Sequence, residues 1–184
     1  MNFKEVPVSC KNVFHGHLID VEVEQVKTPA GQLAQREIVR HAKAVCLLVV
    51  NKEGQFAVVK QWREPIATTT LEIPAGKVDE RDGGSSLHAA QRELNEETRL
   101  SAKQLTRICG FHSSVGFSDE YLTMYLATDL SPVKKQLPQD PDEQLSLQWL
   151  TVEQGLQMID SGQVTDAKTI MAIYYLKGHC DEQR

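Results

Sequence analysis

The stretch AGKVDERDGGSSLHAAQRELNEETRL, residues 75–100, decides how the rest of the chain is read. It follows Pro74, opens on a tight Pro/Gly turn, and runs through the polar loop VDERDGGSS. Its second half predicts a helix over about 86–98, with Ser85 or Ser86 as N-cap. Leu87, Ala90 and Leu94 form an apolar stripe on that helix. Glu93, Glu96 and Glu97 lie three and four residues apart and crowd onto the other side. Like charges at this spacing destabilise a helix by roughly 0.2–0.5 kcal/mol per pair. Something must offset that cost.

Two readings do so. In one, water solvates the three glutamates while Arg92 and Arg99 partly neutralise them, as on many acidic surfaces. In the other, the carboxylates hold a hard cation. Mg²⁺ takes octahedral oxygen ligands, commonly one or two carboxylates together with waters and substrate phosphates. Glu93 and Glu97, at i and i+4, reach one such ion, and Glu96 reaches a second. A backbone carbonyl near Ala75-Gly76 completes the site, and this upstream turn tips the balance toward the cation.

Outward from this segment, LIDVEVEQV (18–26) alternates with period two, TPAGQ (28–32) is a turn, and LAQREIVRH (33–41) returns as a second strand. AVCLLVV (44–50) reads as a strand buried on both faces, paired through NKEG (51–54) with QFAVVKQW (55–62). TTTLEIPAGK (68–77) is a strand broken by Pro74 and Gly76. Downstream, 105–114, 121–130 and 145–150 read as strands, with a loop at 115–120 and a polar loop at 134–144. Thr151 and Gln154 make a capping box for a helix ending near Ser161-Gly162, and a last helix spans about 166–177. The pattern predicts an α+β fold, with a β subdomain at 1–42 and a second domain at 43–184.

Composition narrows the functional classes. The chain has 184 residues, 41% apolar and 24% charged, and a formal charge of −5, which argues against a nucleic-acid binder. Its 4 cysteines are scattered without C-x-x-C spacing, so a zinc cage or redox pair is not expected. The N-terminus has no apolar signal segment, and AVCLLVV is too short to span a bilayer, so a cytoplasmic protein with no membrane partner is expected.

Residues 75–100 resemble the Nudix box, Gly-x5-Glu-x7-Arg-Glu-U-x-Glu-Glu-x-Gly-U with U aliphatic. Gly76 matches its first glycine, and Arg92, Glu93, Leu94, Glu96, Glu97 and Leu100 match its second half in register. Gly76 and Arg92 stand two residues farther apart than in the pattern. The box's first glutamate thus aligns with Gly84 or is imitated by Asp82, and its closing glycine is Arg99. A glycine there usually serves a left-handed turn, so either Arg99 adopts that turn at a cost of about 1–2 kcal/mol or the helix ends differently. The resemblance covers nearly the whole chain. QREIVRHAKAV, VVKQWREP, LEIPAGK, SSVGFSDE and TDAKTI each sit where the ADP-ribose pyrophosphatase-like branch of Nudix hydrolases has similar runs.

The resemblance implies a Nudix α/β/α sandwich with an N-terminal antiparallel β-sheet exchanged across a homodimer. It also implies hydrolysis of the diphosphate of ADP-ribose, or of a related nucleoside diphosphate sugar, to a nucleoside monophosphate and a sugar phosphate. The Ala75 carbonyl and the carboxylates of Glu93 and Glu97, assisted by Glu96, would hold Mg²⁺, or Mn²⁺ in its place. Glu143 matches the glutamate that orients or deprotonates the attacking water, with Glu96 and Glu97 as the other catalytic carboxylates. Arg36 and Arg63 match arginines that contact the small-molecule nucleotide sugar. Gly116, Phe117 and Glu120 would lie in the loop beside it, and His17 stands where an aromatic can stack on adenine. Val115 replaces the proline that marks ADP-ribose hydrolases, which leaves base and sugar open.

Taken without the resemblance, Arg36 and Arg63 are ordinary strand residues, His17 packs at a strand start, His112 is a core-edge histidine, and Asp166 lies near the positive dipole end at a helix N-terminus. Two rival functions remain. One is a catalytically weak Nudix domain that binds a nucleotide sugar as a sensor, and the other is a house-cleaning nucleoside triphosphate pyrophosphohydrolase.

Overall fold

The computed structural model describes residues 2–139 and 144–181, the side chains of the last two excepted. Its contacts separate the chain into two compact units.

The first unit comprises residues 1–43 and 110–122. It holds an antiparallel sheet of β1 (Val6–His15), β2 (Ile19–Lys27) and β3 (Leu33–His41), in that order. β2 and β3 pair without a break from Ile19↔His41 to Lys27↔Leu33, the register set by the turn at Thr28–Gln32. β1 is absent from the sequence reading. Pro7 and two bulges interrupt its period-two pattern, and all ten of its residues are exposed. On the other edge of β3, residues 117–119 add a short parallel bridge, with Val39 N–H donating to the Phe117 carbonyl at 2.7 Å and Asp119 N–H to the Val39 carbonyl at 3.1 Å.

The second unit comprises residues 44–109 and 123–184. Its two sheets have the orders β10-β5-β6 and β7-β4-β9-β8. The strands are β4 (Ala44–Val49), β5 (Phe56–Arg63), β6 (Thr68–Glu72), β7 (Ala75–Lys77), β8 (Leu100–His112), β9 (Tyr121–Pro132) and β10 (Ser146–Leu150). The helices are α1 (Ser86–Thr98), α2 (Val152–Asp160) and α3 (Ala167–Asp181). The tips of β8 and β9 belong to the first unit. β4 is buried along its whole length, as its unbroken apolar run requires. Val45, Leu47 and Val49 meet Ala89, Ala90 and Leu94 of α1, while Cys46 and Leu48 are also fully buried. Gly155 of α2 lies so close to Phe56 and Ile173 that a Cβ there would come within 2.9 Å of the Phe56 ring. No helix among the described residues is long and apolar enough to cross a membrane.

What positions the site is the break at Ile73-Pro74. Residues 68–77 do not form one strand with an irregularity. β6 pairs with β5, and after Pro74 the chain changes sheets so that β7 pairs with β4 through Val45↔Gly76 and Cys46↔Ala75. The proline lacks an N–H to donate to a ladder, but its carbonyl accepts from Leu47 N–H at 2.8 Å.

Candidate metal and diphosphate site

α1 starts where the sequence places it. The Ser85 hydroxyl accepts the His88 N–H at 3.3 Å, which makes Ser85 the N-cap. The expected stripe shifts by part of a turn. Ala89, Ala90 and Leu94 are buried while Leu87 is 40% exposed, because α1 presents its alanines to β4.

The acidic side of α1 is not a solvated surface. Glu93, Glu96 and Glu97 are 7%, 4% and 5% exposed, which removes the reading in which water carries their charge. Arg92 supplies part of the compensation. Its Nη1 donates to Glu93 Oε1 at 2.6 Å and to Glu96 Oε2 at 2.7 Å, and its Nη2 donates to the Lys77 carbonyl at 2.8 Å. The same guanidinium holds Asp82 with two further bonds, from Nε to Oδ1 at 3.0 Å and from Nη2 to Oδ2 at 2.9 Å. Burial weakens the charge on Arg92, but its four carboxylate bonds more than reverse that and raise its pKa. Burial likewise pushes the Asp82 carboxyl up, and the Arg92 bonds pull it below its ordinary range.

Asp82, not Gly84, supplies the carboxylate that Arg92 reaches. It lies six residues after Gly76, so the two extra residues fall between Asp82 and Arg92. A 3₁₀ turn (Glu80–Asp82), capped by Asp79, ends at Asp82, and the longer linker then opens with Gly83 and Gly84 at φ 58° and 77°. Those left-handed angles favour glycine. An aspartate is one methylene shorter than a glutamate, and the longer loop brings its carboxylate to Arg92 nonetheless.

At the other end of α1, Arg99 takes the left-handed position itself, at φ 62° and ψ 23°. Its side chain donates to the Leu137 carbonyl, and Asn95 bonds both Leu137 N–H and the Lys135 carbonyl at 3.0 Å. These contacts offset the unfavourable backbone angle.

The residues present fit a divalent ion. Three buried carboxylates follow one another along α1, and the Gly76 backbone lies against the first of them, Glu93. A Cβ at Gly76 would fall inside the Glu93 carboxylate, so the absence of a side chain there is a requirement of packing. Hard oxygen donors of this kind suit Mg²⁺ or Mn²⁺.

Arg63 lies in the same unit. Its Nε and Nη2 donate to Glu72 Oε1 and Oε2 at 2.7 and 2.8 Å, while the side chain remains 44% exposed. The other candidates belong to the first unit. Arg36 is bound by Glu5, with Nε to Oε2 at 3.0 Å. His17 does not pack at a strand start; it is exposed in the turn between β1 and β2, where Gly16 reverses the chain. Gly116 and Phe117 are exposed on the 113–120 loop, and Glu120 lies 3.6 Å from His41 Nδ1. His112 is exposed as well, and stacks edge-on with Tyr121 at 5.0 Å. Glu143 lies outside the described residues. The sequence reading missed the buried partners Glu72 and Lys168; a charged residue inside an apolar strand, as in TTTLEI, is the signal for the first.

The family model described as NUDIX domain matches residues 40–172. The chain is 41% identical to an ADP-ribose pyrophosphatase of Bacillus subtilis (strain 168), covering 96% of this chain and 94% of that protein. It is 35% identical to a methanol dehydrogenase activator of Bacillus methanolicus, over 95% and 94% of the two chains. A crystal structure of an ADP compounds hydrolase superposes with a TM-score of 0.86 at 20% identity, covering 98% of this chain and 96% of that one.

Proposed function

Because the chain belongs to the Nudix family, we propose that it hydrolyses the diphosphate of ADP-ribose or a related nucleoside diphosphate sugar, with Mg²⁺ as its ion. The products are a nucleoside monophosphate and a sugar phosphate. The observation that carries this reading is the burial of Glu93, Glu96 and Glu97 on one stretch of α1, with the Glu93 carboxylate against Gly76.

In this reading Glu93, Glu97 and the Ala75 carbonyl hold the ion, with Glu96 assisting. Held there, a divalent ion would supply positive charge to offset the diphosphate and make a water more acidic. Arg92 keeps the Glu93 and Glu96 carboxylates from repelling one another, so their oxygens are arranged before substrate arrives. Arg63 presents a planar guanidinium, fixed by Glu72, to the diphosphate. By the family resemblance, Arg36, His17, Gly116, Phe117 and Glu120 would serve as nucleotide-sugar contacts and Glu143 would take the proton of the attacking water.

We also infer a homodimer formed through the first unit's sheet. Val6, Val8, Val13 and Phe14 of β1 and Leu33 of β3 are each at least half exposed, more apolar surface than one strand normally leaves in water. Light scattering that finds only a monomer at micromolar concentration removes this part of the reading.

The activity itself is tested with ADP-ribose, other nucleoside diphosphate sugars and damaged nucleoside triphosphates, each with and without Mg²⁺. Release of AMP from ADP-ribose only when the ion is present is expected. Tight binding of every nucleotide sugar without hydrolysis would show the reading to be wrong.

A further inference from the structure

The helix-start motif TDAKTI does more than begin α3. Asp166 caps the helix, its Oδ2 accepting the Thr169 N–H at 3.0 Å and the Thr169 hydroxyl at 2.5 Å. The same Thr169 oxygen accepts the Ile73 N–H at 2.8 Å, two residues before Ala75. Between these contacts lies Lys168, only 12% exposed, with Nζ 2.5 Å from Glu72 Oε2 and 3.0 Å from Asp166 Oδ1.

Glu72 is therefore shared. Its side chain is 4% exposed and accepts from Arg63 Nε and Nη2, from the Thr70 hydroxyl at 2.6 Å, and from Lys168. Two cations divide one carboxylate, and the second of them has a carboxylate of its own in Asp166. The geometry points to Lys168 as a positioning residue for diphosphate binding. By taking part of the Glu72 charge, it leaves the Arg63 guanidinium fixed in direction yet incompletely neutralised, with Nη1 unused by that carboxylate. This inference rests on the reading of Arg63 as a diphosphate ligand.

The physical alternative is that Lys168 only fills a buried space. The two accounts differ in what happens when the charge is removed and the chain stays folded. With Lys168→Met, Glu72 belongs to Arg63 alone, and a guanidinium whose charge is fully compensated attracts a phosphate weakly.

Steady-state kinetics with ADP-ribose and calorimetry with ADP, on the whole chain, separate them. Lys168→Met is expected to raise KM about tenfold with kcat changed less than about twofold, and to weaken ADP binding by a similar factor. Lys168→Arg, which keeps a cation on Glu72, recovers most of both. In an Arg63→Ala background, Lys168→Met adds no further loss. Should Lys168→Met not fold, Lys168→Gln carries the same comparison. A folded variant with unchanged KM and ADP affinity, or an undiminished loss in the Arg63→Ala background, overturns the inference while leaving the hydrolase reading intact. A wild-type chain that neither binds ADP nor cleaves any nucleotide sugar overturns both.

Discussion

Asp82 and Arg92 meet through two parallel hydrogen bonds, and the same guanidinium reaches on to Glu93 and Glu96. One cation thereby serves three buried carboxylates, and it offsets the repulsion between Glu93 and Glu96, three positions apart on α1.

Asp82→Ala removes the bidentate partner from a guanidinium that is 9% exposed. Breaking a buried pair on one side costs about 3–5 kcal/mol. Thermal or urea unfolding is expected to show a loss of that size, with Asp82→Asn falling between Asp82→Ala and the unaltered chain.

Glu97→Gln keeps the shape of the site and removes a charge that would hold the ion. Turnover is expected to fall about a thousandfold or more, with the unfolding midpoint nearly unchanged. Turnover within tenfold of the unaltered chain sets the ligand assignment aside.

Gly76→Ala places a methyl group inside the Glu93 carboxylate. Overpacking of this kind costs about 1–3 kcal/mol, and here the displaced group is a proposed ion ligand. Mg²⁺ affinity, read by calorimetry, is expected to fall further than stability does.

Arg99 combines a left-handed backbone with a side-chain bond to the Leu137 carbonyl. Arg99→Ala loses the bond and keeps the backbone cost. Arg99→Gly loses the bond and removes that cost, so it should be more stable than Arg99→Ala by about 1 kcal/mol. Urea midpoints of the two variants decide the order.

Burial opposes ionisation of Glu72, but the Arg63 and Lys168 contacts prevail and hold its pKa at about 2, against an ordinary 4.5. A carboxyl with a depressed folded pKa contributes its full stabilisation above the ordinary value and loses it as pH falls toward the folded one. Stability is therefore expected to decline between pH 4.5 and 2, and Glu72→Gln should flatten that limb of the profile.

The fold and the site were legible in the sequence to different degrees. β4 and α1 were, because an apolar run buried on both faces and a capped, periodic helix are local signals. β1 was not. Its bulges and Pro7 break the alternation that identifies a strand, and its pairing with β2 is a tertiary fact. The three glutamates of α1 stood out by spacing, but their burial did not, since solvated and buried glutamates look alike in a one-dimensional pattern. The choice between Gly84 and Asp82 required coordinates to see which carboxylate Arg92 reaches. Lys168 escaped notice because its partner Glu72 is 96 residues away.

The glycine pair at 83 and 84 bears on how such chains are found at all. A search that insists on a fixed count between the first glycine of the box and its arginine passes over this one. A search for an acidic group six positions after that glycine, followed by a linker of adjustable length, retrieves it. Arg92 requires an oxygen pair within reach, and a short acid on a long tether meets that demand as well as a long acid on a short one.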